Sequence, residues 1–171
     1  MGWLVSLYGD RLLFGAPPRD AEDMEFLGEE GKKVTHYVVM RPETPYYIEQ
    51  SDVPVTGLVV PSDLSSRSEA KQIEWYMSTA EKVALLLKED PDETLYVCNV
   101  TGHDEEATVA FLAWALVDHA HCPRNLGEWL AAADHSLVLD NEDSRRMTQG
   151  AVDRILNTNG RTIKSYFKKT K

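Results

Sequence analysis

The spacing of apolar and polar residues divides the chain into alternating extended and helical segments. "WLVSLYGDRLLFGA" holds two short apolar runs around Gly9-Asp10, which predicts a hairpin or a bent edge strand. In "PPRDAEDMEFLGEEG", Pro17 and Pro18 precede an acidic first turn and then Met24, Phe26 and Leu27, predicting a short helix that stops at Gly28 or Gly31. Thr35–Arg41 and Val53–Pro61 are apolar, β-branched runs and read as core strands. Between them, "PETPYYIEQSD" reads as loop or edge strand, because Pro42 and Pro45 cannot donate to a ladder. From Ser68 to Lys88 apolar residues recur at spacings of three and four, giving an amphipathic helix that Asp90-Pro91-Asp92 ends. "TLYVCNV" is a further strand. The helix from about Glu105 to His119 is apolar on nearly every side and belongs in the middle of the domain. "NLGEWLAAADHS" and "NEDSRRMTQGAVDRILNTNG" add two helices, and "RTIKSYFKKTK" a last one. Strands and helices in this order predict an α/β fold: a small, mostly parallel central sheet flanked by helices. A ligand crevice is then expected at the C-terminal end of the strand holding Tyr96 and Val97.

Composition narrows the function classes. At 171 residues a single domain spanning 1–171 is expected. The formal charge of −10 opposes nucleic acid and anionic lipid alike, so neither is expected as a partner. Arg161, Lys164, Lys168, Lys169 and Lys171 form a basic C-terminal run, read as a solvated helix face, with a small anion-docking tail as the alternative. Cys98 and Cys122 make no disulfide framework, which suits a reducing compartment: cytoplasmic, with nuclear or virion-associated locations left open. No signal peptide is read at the N-terminal end, and no window reaches the roughly 18 apolar residues of a spanning helix, so a soluble protein is expected.

The segment "YVCNVTGHDEEATVAFLAW" carries the candidate chemistry, and it resembles the dual-specificity branch of the protein tyrosine phosphatases. That family has a strand ending in Val-His-Cys, a loop with a central Gly, then Arg-Ser and a helix often starting Ala-Thr. Anchoring on Gly102 and Ala107-Thr108 places Cys98 at the family's His, Asn99 at its nucleophilic Cys, Glu105 at its phosphate-binding Arg and Glu106 at the following Ser. The phosphate loop would run through Asn99, Val100, Thr101, Gly102, His103, Asp104 and Glu105. "LVVPSDL" resembles the general-acid segment and puts the acid at Asp63; the element order is followed from about Leu12 to Leu156.

The replaced positions decide the expected chemistry. A carboxamide at 99 is neither nucleophilic nor ionisable near neutrality. A carboxylate at 105 reverses the charge of the clamp: unit charges about 4 Å apart interact by roughly 4 kcal/mol at an effective dielectric of 20, and a phosphate dianion feels about double that. A helix N-terminus returns only about 0.3 to 2 kcal/mol. Shifting the register so that Cys98 attacks does not restore the site, because Asp104 then stands at the Arg position and an acidic neighbourhood raises a thiol's pKa. Glu105 and Glu106 in a first helical turn do favour the helix dipole.

The resemblance, with its diagnostic pair replaced, implies a non-enzymatic pseudophosphatase that binds another protein as scaffold or competitor. Its partner would carry a basic segment. Two alternatives stand: a structural component of a larger assembly such as a virion, or an enzyme with metal-assisted chemistry at the degenerate loop. No cofactor and no metal are expected, since His103, Asp104, Glu105 and Glu106 on consecutive positions cannot all face one ion. His119, His121 and Cys122 read as a helix-end set, with only His135 as a further ligand. Arg145 and Arg146 are read as surface residues, with a pairing to Glu105 as the alternative.

Overall fold

The computed structural model describes residues 5–29, 33–99, 105–133 and 142–157. The last predicted helix, 161–171, lies outside them. The chain opens with β1 (Val5–Leu7) and β2 (Leu12–Gly15), then α1 (Ala21–Glu29), β3 (His36–Val39), α2 (Tyr46–Glu49) and β4 (Val55–Gly57). A 3-10 turn at Leu64–Ser66 leads to α3 (Glu69–Glu89), β5 (Leu95–Cys98), α4 (Glu105–Val117), α5 (Leu126–Ala133) and α6 (Glu142–Asn157). The sheet has the order β1-β2-β5-β3-β4, antiparallel only between β1 and β2.

The predicted hairpin forms because Tyr8, Gly9 and Asp10 all take left-handed backbone, with φ of 52°, 61° and 64°. Arg11 then donates to the carbonyls of Leu87, Asp90 and Glu93, fastening the hairpin to the end of α3. Period-2 alternation sends side chains of the central strands to two cores. Leu12, Phe14, Leu95 and Val97 pack with α3, α4 and α6 on one face. Leu13, Tyr37, Tyr96 and Cys98 pack with Leu27 and Ile48, from α1 and α2, on the other. With both faces covered, the strands read as continuous apolar runs.

Three expectations are corrected. Val53–Pro61 is not a core strand: β4 is short, lies at the sheet edge, and exposes Val55. The Pro42–Asp52 segment contains α2, one helical turn that Pro45 can precede because proline's missing N–H is not needed there, and that buries Ile48. Gly28 does not end α1, which continues to Glu29; Gly31 lies outside the described residues.

Helix α4 is buried almost throughout. Its Phe111 and Trp114 close around the fully buried Trp129 of α5, with ring centroids 4.8 and 5.1 Å away, and its Thr108 meets Thr148 of α6 through a 2.9 Å hydroxyl bond. This packing fixes where the N-terminus of α4 meets the end of β5.

Candidate functional site

The C-terminal end of β5 is held from both sides. Met40 N–H donates to the Cys98 carbonyl at 3.0 Å, and Asn99 N–H donates to the Gly15 carbonyl at 3.4 Å. Asn99 therefore leaves the sheet with its side chain largely buried, 8% exposed. Glu105 begins α4 directly across, and Asn99 Nδ2 donates to Glu105 Oε2 at 3.1 Å. The two positions that the resemblance assigns to nucleophile and phosphate clamp thus meet each other. Val100, Thr101, Gly102, His103 and Asp104 lie outside the described residues.

Cys98 points away from this pair, into the second core. Burial pushes its thiol up to about 12, and the carboxylate of the fully buried Glu106 adds to that. The cause is mainly desolvation, where an acidic surrounding was expected to dominate. Burial, followed by the neighbouring Cys98, Tyr37, Glu106 and Asp23, raises Tyr96 well above its ordinary value; its hydroxyl donates to the Ala16 carbonyl at 2.6 Å.

A cleft of about 370 Å³ opens beside Glu105. Pro61, Ser62 and Leu64 line it after β4, Glu69 and Tyr76 from α3, and Asp143 and Arg146 from α6. Among the described residues its carboxylates, Glu69, Glu105 and Asp143, outnumber its one guanidinium by three to one. Arg146 binds Glu69 at 3.0 Å and Asp143 at 3.1 Å, so the alternative pairing with Glu105 gives way to these two; Arg145 does not line the cleft. Both acids belong to exposed helix starts, where apolar periodicity gives no signal of a shared cavity.

Asp63 stands just ahead of the 3-10 turn and does not line the cleft. Its exposed carboxylate accepts from Arg67 Nη2 at 2.9 Å and Nε at 3.3 Å, and that guanidinium holds the carboxyl below its ordinary value. A group kept ionised in this way is poorly set to deliver a proton. At the other end of α4, His121 Nδ1 lies 2.8 Å from Asp118 Oδ1 and the Cys122 thiol donates to the His119 carbonyl at 3.8 Å. His135 is outside the described residues. Among the described residues no three metal-capable side chains converge, and no helix is long and apolar enough to cross a membrane.

A scan against protein-family models finds no match, and neither does a search of curated proteins. Solved structures do match. DUSP15 superposes with a TM-score of 0.65 at 13% identity, over 95% of this chain and 95% of that one. Human DUSP28 gives 0.63 at 16% identity, over 91% and 99%. PTPMT1 in complex with PI(5)P gives 0.62 at 14% identity, over 92% and 99%. At such identities the likeness speaks for the backbone: the chain has the α/β fold of the protein tyrosine phosphatases, in its dual-specificity form.

Proposed function

We propose that the chain is a pseudophosphatase, a dual-specificity-phosphatase-like protein that turns over no phosphate ester and acts by binding a basic segment of another protein. The observation that carries this reading is the 3.1 Å bond from Asn99 Nδ2 to Glu105 Oε2. A carboxamide supplies no thiolate to attack phosphorus, and a carboxylate presents negative charge where a phosphoryl group would need a cation. Three neighbouring features support it. Cys98 is buried with its thiol at about 12, Asp63 is held ionised by Arg67, and the cleft beside Glu105 carries more carboxylates than cations. Such a cleft favours Lys and Arg side chains, and a phosphate on the incoming segment would be repelled. The two free cysteines suit a reducing, cytoplasmic setting.

The test is a back-substitution, Asn99→Cys with Glu105→Arg, assayed on a small aryl phosphate beside the parent chain and each single variant. Turnover in the double variant alone is expected. Turnover by the parent chain overturns the proposal. A second arm titrates a basic peptide with and without a phosphoserine, and tighter binding of the phosphorylated form counts against the partner assignment.

A further inference from the structure

β4 ends the sheet, with β3 on one side and no strand among the described residues on the other. Its backbone groups alternate in direction. Tyr37 N–H donates to the Pro54 carbonyl at 2.9 Å, Leu58 N–H to Val39 at 2.9 Å and Val60 N–H to Met40 at 3.0 Å. These bonds take the even-numbered positions, so the N–H and C=O of Val55, Gly57 and Val59 face away from the sheet. Val55 and Val59 are also 39% and 45% exposed, two of the three exposed large apolar side chains among the described residues. Proteins usually guard such an edge by keeping it short or with charge, proline, bulges or a covering element; β4 is short, and prolines stand at 54 and 61. Here the sequence between Asp52 and Asp63 holds no charged residue.

We infer that β4 is a self-association edge, pairing antiparallel across a two-fold axis with β4 of a second copy of this chain. The outward positions are symmetric about Gly57. Pairing there sets Gly57 opposite Gly57, and Val55 opposite Val59 of the second copy, with each pair exchanging two N–H···O=C bonds. The valines then meet as cross-strand apolar pairs on one face. Pro61, the next outward position, has no N–H to give and ends the ladder. Charge argues for the same contact: two bodies of formal charge −10 repel least where the approaching segment is neutral.

The experiment uses the full chain in sedimentation over a wide concentration range, at low and high salt, with hydrogen exchange followed at Val55, Gly57 and Val59. A Cβ at Gly57 meets nothing within 4 Å, so Gly57→Lys fits the lone chain and sets two lysines face to face only in the pair. A monomer–dimer equilibrium is expected, strengthened by salt because like net charges are screened. Gly57→Lys should weaken it by about tenfold or more, while Gly57→Ala retains it. The three amides should exchange more slowly as concentration rises. A chain that stays monomeric throughout overturns the inference. So do amides already protected at the lowest concentration, which would mean the chain covers its own edge, and a dimer that Gly57→Lys leaves unchanged, which would place the contact elsewhere.

Discussion

Replacing Asn99 by Asp would turn the donor facing Glu105 into a second carboxylate of nearly the same shape. The 3.1 Å contact now joins an amide hydrogen to a carboxylate oxygen; afterwards two negative oxygens would face each other. At that separation an effective dielectric of 20 gives a repulsion of about 5 kcal/mol. Glu105 is only half-buried, so water and side-chain relaxation reduce this, leaving about 2–3 kcal/mol together with the lost hydrogen bond. The pH dependence identifies the cause. The facing carboxylates bind one proton more tightly in the folded chain than in the unfolded one, so acid favours the fold of the variant. Its deficit should be nearly absent below about pH 4 and grow by about 1.4 kcal/mol per pH unit above that, until the repulsion is fully expressed. Urea unfolding of Asn99→Asp and parent at several pH values measures it. A deficit that does not change with pH, or none at neutral pH, would mean that residue 99 does not face Glu105, and the reading of the site would fall.

Other outcomes follow from the packing. Cys98, with its thiol pushed up to about 12 and no exposed surface, should resist iodoacetamide in the folded chain at neutral pH and react on unfolding in urea; rapid labelling of the native protein, located by mass spectrometry, would contradict this. Thr148→Val leaves the buried Thr108 hydroxyl without its 2.9 Å partner and should cost about 1–3 kcal/mol in urea unfolding, with Thr108→Val added to it recovering most of the loss. Gly9→Ala meets no steric contact but keeps φ at +61°, so about 1–2 kcal/mol should be lost through the backbone alone. A thermal midpoint unmoved by that substitution would exclude a left-handed turn at Gly9.

How far the sequence discloses the molecule depends on what each residue's pattern reports. Leu12–Gly15 and Leu95–Cys98 are buried on both faces; their apolar runs marked both as extended segments, but the first read as a hairpin arm or a bent edge strand and is an inner strand, since an apolar run does not report which neighbours pair on either side. Apolar side chains all round Glu105–Val117 placed that helix inside. Val53–Pro61 has the same composition as a central strand but ends at the edge, because composition reports strand propensity and not the neighbour that must cover the outer side. Within "PETPYYIEQSD" two prolines argued against a ladder, and one of them precedes a helical turn. For the site, the spacing of six between Asn99 and Glu105 was legible, whereas the choice of Arg146 for Glu69 and Asp143 was not: charged partners on separate exposed helix starts leave no periodic mark.

That division has a structural cause. The end of β5 is set by backbone bonds to Gly15 and Met40, and the start of α4 by Phe111, Trp114, Trp129 and the Thr108–Thr148 pair. None of these contacts uses the side chains of Asn99 or Glu105. The junction between strand and helix is therefore set mainly by the core and not by those two side chains, so this backbone accommodates an amide and a carboxylate there. A carboxylate in the first turn of α4 is even favourable to the helix, by about 0.3–1 kcal/mol, while it opposes an incoming phosphate dianion by several times as much. On the proposed reading, stability and phosphate recognition pull residue 105 in opposite directions, and a glutamate there follows stability.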